Sequence, residues 1–150
     1  MRAPTTAPLL PHTGWTRVRT VVNWVNLSTV LGLLLAWIGG AEVRRRGRGT
    51  YVATGYRWRI PAASAFTVGS VIVSRHGEDR FTRRPALLLH EDRHCTQYAW
   101  CLGPVMLPLY FAGVGVSYAV AGDHWSYNPF ERLAVLVDGD YRVNPPRWRD

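Results

Sequence analysis

The chain predicts a small α+β fold, helix-dominated, with a short β-sheet beside one central helix. Three observations predict it. Residues 85–101, PALLLHEDRHCTQYAWC, carry helix start and stop signals at their two ends. Two long apolar runs, 21–38 and 102–122, have the length and composition of helices. Between them, 50–60 and 65–74 are rich in the β-branched and aromatic residues that suit strands.

At 150 residues the chain is most simply one domain with a modest core, and its 47% hydrophobic content is that of a globular protein rather than a disordered one. All 18 basic residues are arginine, against 10 acidic ones, for a formal charge of +8. Such a charge suits nucleic acid or anionic lipid. No nucleic-acid-binding motif accompanies it, so no nucleic-acid partner is expected.

In chain order, residues 1–20 hold three prolines and scattered threonines and are expected to be a flexible tail. The domain proper is placed at 21–143, beginning with the apolar helix 21–38. Asn23, Asn26 and Thr29 recur every three residues and draw a polar stripe along it. Its length leaves three readings open: a membrane anchor, an interfacial helix, or a buried helix of the domain. Were it to span, Arg44, Arg45, Arg46 and Arg48 would hold the following residues on the cytoplasmic side. The chain is accordingly expected to be membrane-associated with the part after residue 44 cytoplasmic, or cytoplasmic.

Residues 50–60 predict a hairpin turning near Gly55, and 65–74 predict a strand in which Gly69 marks a bulge or a close backbone approach. His76 falls in an exposed turn. Helix 85–101 then opens with Pro85 at its first position, where no N–H is needed, and Gly103-Pro104 ends it.

That helix carries His90-Glu91-Asp92-Arg93-His94, an H-E-x-x-H pattern. Residues four apart project from one helix face about a turn apart, so two imidazoles can close on one Zn²⁺. Glu91, one residue on, can reach the water at the ion and take its proton. An open hydrolytic zinc site needs a third protein ligand. Asn128-Pro129-Phe130-Glu131 reads as a helix start, with Asn128 as cap and Glu131 in the first turn, and Glu131 is the candidate. Its ordinary alternative role is to favour the helix dipole. Cys95 and Cys101, six residues apart on one helix, are too far apart to pair, and Cys95 points away from His94.

The run HEDRHCTQYAWCLGPVMLPLY followed by NPFERLA resembles a family of small, largely uncharacterised bacterial zinc metallopeptidases. Residues 66–72, FTVGSVI, resemble the T-x-G strand that precedes the motif there, so the likeness covers 64–135. The resemblance implies a zincin-like fold and the gluzincin arrangement, with His90, His94 and Glu131 as metal ligands, Glu91 as catalytic carboxylate and Zn²⁺ as cofactor. Gln97, Tyr98 and Asn128 match family positions without a stated role. Similar enzymes also hold a peptide by pairing it to a strand beside the active helix, which 65–74 is placed to do.

Residues 102–122 carry no charge. A full membrane crossing there would part Glu131 from the histidines, because 123–130 is too short and polar to return through the hydrocarbon. With Pro104, Pro108, Gly113 and Gly115, a bent segment that returns on itself is expected, with membrane contact open to both 21–38 and 102–122. Tyr127 and His124, just before Glu131, are the candidate donors to a developing oxyanion. Asp138 is a candidate hydrogen-bond acceptor for a ligating imidazole. Residues 144–150 are expected to be a tail.

The function expected is hydrolysis of peptide bonds in a peptide or protein substrate. The alternative is a non-enzymatic protein, metal-stabilised or membrane-associated, in which the motif is vestigial.

Overall fold

A computed structural model describes residues 11–61 and 63–149. Its architecture is mixed α and β. The elements run α1 (Gly14–Val25), α2 (Ser28–Ile38), β1 (Glu42–Arg45), β2 (Tyr51–Thr54), β3 (Ala65–Val68), β4 (Val71–Ser74), α3 (Asp79–Arg83), α4 (Pro85–Trp100), α5 (Met106–Ala121) and α6 (Pro129–Leu133).

The sheet has the order β1-β2-β4-β3, with β2 and β4 parallel and both outer pairs antiparallel. Side chains alternate across it. Val52, Ile72 and Ala65 face α4 and pack with Leu87 and Cys95. Ala53, Val71 and Val73 face the other way and pack with Ala36 and Leu33 of α2. Thus β4 is covered on both faces, and β3, at the sheet edge, runs beside α4.

Several expectations are corrected. Residues 1–10 of the expected tail lie outside the described residues, but 14–20 are helical, with Thr13 and Thr16 closing a capping box. The helix expected over 21–38 is two helices, bent by 72° at Asn26 and Leu27. The hairpin expected at Gly55 instead joins β1 to β2 through Gly47–Gly49, and the chain after Thr54 leaves the sheet. The strand expected over 65–74 is a tight hairpin. Gly69, at φ +63°, turns it, and a Cβ there would meet the Ser28 and Thr29 backbone at 2.4 Å. The close approach is therefore real and the bulge is not.

The segment expected to bend back over 102–122 is instead one helical run, Gly103–Ala121, of 19 residues. Pro104 sits in a 3₁₀ turn and Pro108 in the first turn of α5, where a missing N–H is harmless. The return is made afterwards by 122–131, which runs back along α5. Ser117 Oγ donates to Asp123 Oδ1 at 3.1 Å, and the Asn128 side chain fills the space over Gly113. The expected C-terminal tail is also anchored at its start, since Asn144 donates to Ser126 Oγ and to Asp123 Oδ2 at 2.9 and 2.8 Å. Asp150 lies outside the described residues.

Asp123 is the knot of this return, accepting from Trp125 N, Ser126 N, Ser126 Oγ, Ser117 Oγ and Asn144 Nδ2. Burial alone would raise its pKa, but the bonds from Ser126, Asn144 and Trp125 more than offset this and hold it at about 2. The folded value lies below the ordinary one, so its contribution is full above the ordinary carboxylate range and is lost as pH falls through about 2. At 1.36 kcal/mol per unit this amounts to roughly 2 kcal/mol. Urea unfolding of Asp123→Asn between pH 5 and 2 is expected to show lower stability at pH 5 and a shallower acid slope.

Candidate metal centre

Helix α4 presents His90, Glu91 and His94 to the interior, all buried. The intervening motif residues fix the helix in place. Asp92 pairs with the buried Arg19 of α1 at 2.7 Å. Arg93 donates to Ala134 O at 2.9 Å and pairs with Asp138. Asp138 thus serves the arginine rather than an imidazole, because α6 ends at Leu133 and does not carry Asp138 along its face.

Glu131 comes from α6, whose start is as read: Asn128 caps it by accepting from Phe130 N at 3.1 Å, and Pro129 opens it. The return along α5 brings Glu131 to the histidines. Its Oε2 lies 3.2 Å from His90 Nε2 and 3.7 Å from His94 Nε2, and the two Nε2 atoms are 3.2 Å apart.

The hydrogen bonds behind these atoms decide what they carry. His90 Nδ1 faces two acceptors, the carbonyls of Ala134 and Val135 at 2.9 and 3.0 Å, so it bears the proton. Gln97 donates Nε2 to Phe130 O at 2.8 Å, which turns its Oε1 to accept from His94 Nδ1 at 2.8 Å. In the neutral rings both Nε2 atoms are then lone-pair acceptors. Tyr110 donates to Glu131 Oε1 and leaves Oε2 buried without a hydrogen-bond partner. Three electron-pair donors therefore converge on one point, an arrangement that a cation relieves. The group can hold a metal ion, and among the described residues it is the cluster of His, Cys, Asp and Glu that can do so.

The protonation tendencies agree. Burial would raise Glu131, but His90, His94 and Tyr110 hold it well below the usual carboxylate range. Burial would lower His94, but Glu131 and Glu91 pull it up. Without a cation, a proton on His94 answers the same buried carboxylate. Glu91 belongs to none of these contacts. Its Oε2 accepts from Thr67 Oγ1 of β3 at 2.7 Å, and burial pushes its carboxyl up against the opposing pull of the imidazoles.

The site opens on a cavity of about 260 Å³ that reaches β3, Met106, Leu107 and Tyr141. Of the expected oxyanion donors, neither lies on this cavity. His124 stands edge-on to Trp125 at 4.6 Å, and Tyr127 lies under the Arg132 guanidinium at 4.8 Å. The tyrosines at the site are Tyr110 and Tyr141, the latter 5.8 Å from the His90 ring. Cys95 is buried in the core and Cys101 is free, as expected, and His76 is exposed.

Sequence reasoning missed Thr67, Gln97, Tyr110, Tyr141 and Gly139 as members of the site. Gln97 alone had a local signal, three residues beyond His94 on one helix face. Gly139 lies so close to His90 that a Cβ would stand 2.7 Å from Cε1. Gly139→Ala is expected to displace that ring and weaken metal binding about tenfold or more, as loss of ring orientation does elsewhere. Competition against a chromophoric chelator measures it.

Compared with known family models, curated proteins and solved structures, the chain matches none.

Proposed function

We propose that this chain is a zinc-dependent peptidase of the gluzincin kind. One observation carries this reading: three buried lone-pair donors, His90, His94 and Glu131, converge, and a fourth buried group, Glu91, faces the same cavity without joining them. A closed structural site would recruit a fourth ligand; an open one keeps a place for water.

Bound there, Zn²⁺ would supply Lewis acidity and bring the pKa of a water towards 7. The remaining work falls to the chain. Glu91 takes the proton of the attacking water and returns it to the leaving amine. Thr67 holds the Glu91 carboxylate in one orientation, and Tyr110 holds Glu131. Tyr141, kept protonated by burial and by the nearby carboxylates Glu131 and Glu91, is the donor placed to meet a developing oxyanion. The free side of edge strand β3 is available to pair with an extended peptide.

The reading is tested by hydrolysis of an unfolded protein substrate. Cleavage is expected to stop with a zinc chelator and return with Zn²⁺ but not Mg²⁺; cleavage indifferent to chelation contradicts it. Tyr141→Phe is expected to lower kcat about a hundredfold, with KM and zinc content unchanged.

A further inference from the structure

Three helices of this fold leave large apolar side chains on their outer faces and bury small or polar ones beneath much of their length. Helix α1 buries Thr16, Arg19 and Asn23 and exposes Val18, Val21 and Val25. Helix α2 buries Ser28, Thr29, Gly32 and Ala36 and exposes Val30, Leu34 and Trp37. Helix α5 buries Gly113 and Ser117, with Met106 at its start, and exposes Leu109, Phe111 and Val116. In a helix on a soluble surface the large apolar residues face the core. Of the most apolar stretch of Gly103–Ala121, only 17% is buried. No charged residue lies between Arg19 and Glu42, or between His94 and Asp123.

These faces meet at two bends. The bend between α1 and α2 holds Leu27, and that between α4 and α5 holds Leu102, both in the left-handed backbone region at φ +66° and +55°. A leucine there is strained, yet these side chains are 63% and 73% exposed. The Asn26 side chain packs directly on Gly103 and joins the two bends. Away from this apex the helices end in cations. Arg17 lies near the start of α1, Arg57 packs against Gly40 just past α2, and Arg147 packs against Gly122 just past α5. The 11 residues of α2 span roughly 16 Å, close to the ~15 Å of hydrocarbon in one leaflet.

We propose that the outer faces of α1, α2 and α5 dock into one leaflet of an anionic lipid bilayer, apex first, and that the cavity takes an apolar peptide segment held in that bilayer. Insertion stops short of crossing, because the return along α5 carries Asp123 and Arg132, which would be costly in hydrocarbon. The arginines at the helix ends then sit among the anionic headgroups. The cavity rim includes Phe111 and Ile60, exposed at 65% and 80%, and its walls include Leu35, Met106 and Leu107. A segment arriving from lipid therefore meets apolar surface all the way to Glu91. The substrate half rests on the peptidase reading, and the docking half does not.

The full-length protein is floated with vesicles of phosphatidylcholine, with and without phosphatidylglycerol. It is expected to float with the anionic vesicles, as is Glu91→Gln. Asparagine suits left-handed backbone, so L27N/L102N is expected to keep the melting temperature but lose partitioning at least about tenfold. Wild-type protein that stays below the vesicles overturns the docking. So does a detergent-free dimer that the same double substitution dissociates, since a second copy would then own the face. An apolar peptide reconstituted in the anionic vesicles is expected to be cut about tenfold faster by wild type than by L27N/L102N. Equal rates overturn the substrate class. Intact flotation with no cleavage of any peptide, vesicle-borne or soluble, overturns the peptidase reading and leaves the docking standing.

Discussion

Glu91→Gln is expected to abolish hydrolysis, lowering kcat by at least about a thousandfold, while zinc binding stays at wild-type stoichiometry. The separation of the two effects follows from where Glu91 sits. It shares a helix face with His90 and His94 but has none of the contacts that join them to Glu131. The glutamine oxygen can still accept from Thr67, so the side chain keeps its position and loses only its basicity. Folding should not suffer, because burial already disfavours charge on this group. A variant that loses zinc together with activity would instead place Glu91 among the ligands. Atomic absorption on the purified variant, beside its kcat, distinguishes the two.

Glu131→Gln is expected to weaken metal binding and to lower the stability of the metal-free protein. Zinc affinity should fall more than about a hundredfold, since loss of a mere supporting group around a metal costs 10–100-fold. The metal-free protein should lose stability as well, because the amide carries no charge to answer the proton that His94 holds against Glu131. Thermal melts with and without zinc read both effects. A variant that binds zinc as wild type does would remove Glu131 from the coordination sphere.

The parts of this site that were legible in the sequence are those written locally. The spacing of His90 and His94, Pro85 at the helix start, and Asn128-Pro129 before Glu131 each act through one helical turn, and each sits where that geometry requires. The break between α1 and α2 left no such signal, since a leucine rather than a glycine adopts the left-handed turn. The hairpin β3–β4 was hidden because AFTVGSVIVS is strand-forming throughout, and only the positive φ of Gly69 divides it. Tyr110, Tyr141 and Gly139 reach the site through the return along α5 and the turns after α6, contacts between residues far apart in sequence that no local pattern encodes. The proximity of His124 and Tyr127 to Glu131 in the chain misled for the same reason: the capped turn at Asn128 aims Glu131 at the histidines and leaves the preceding aromatics outside.

The central claim is that His90, His94 and Glu131 share one ion. X-ray absorption at the zinc edge on the full-length protein tests it most directly. Two imidazole nitrogens and a carboxylate oxygen at about 2.0–2.2 Å, with a further oxygen from water, are predicted, and the carboxylate contribution should vanish in Glu131→Gln. A shell with one imidazole or none, or a spectrum that Glu131→Gln leaves unchanged, would contradict the account.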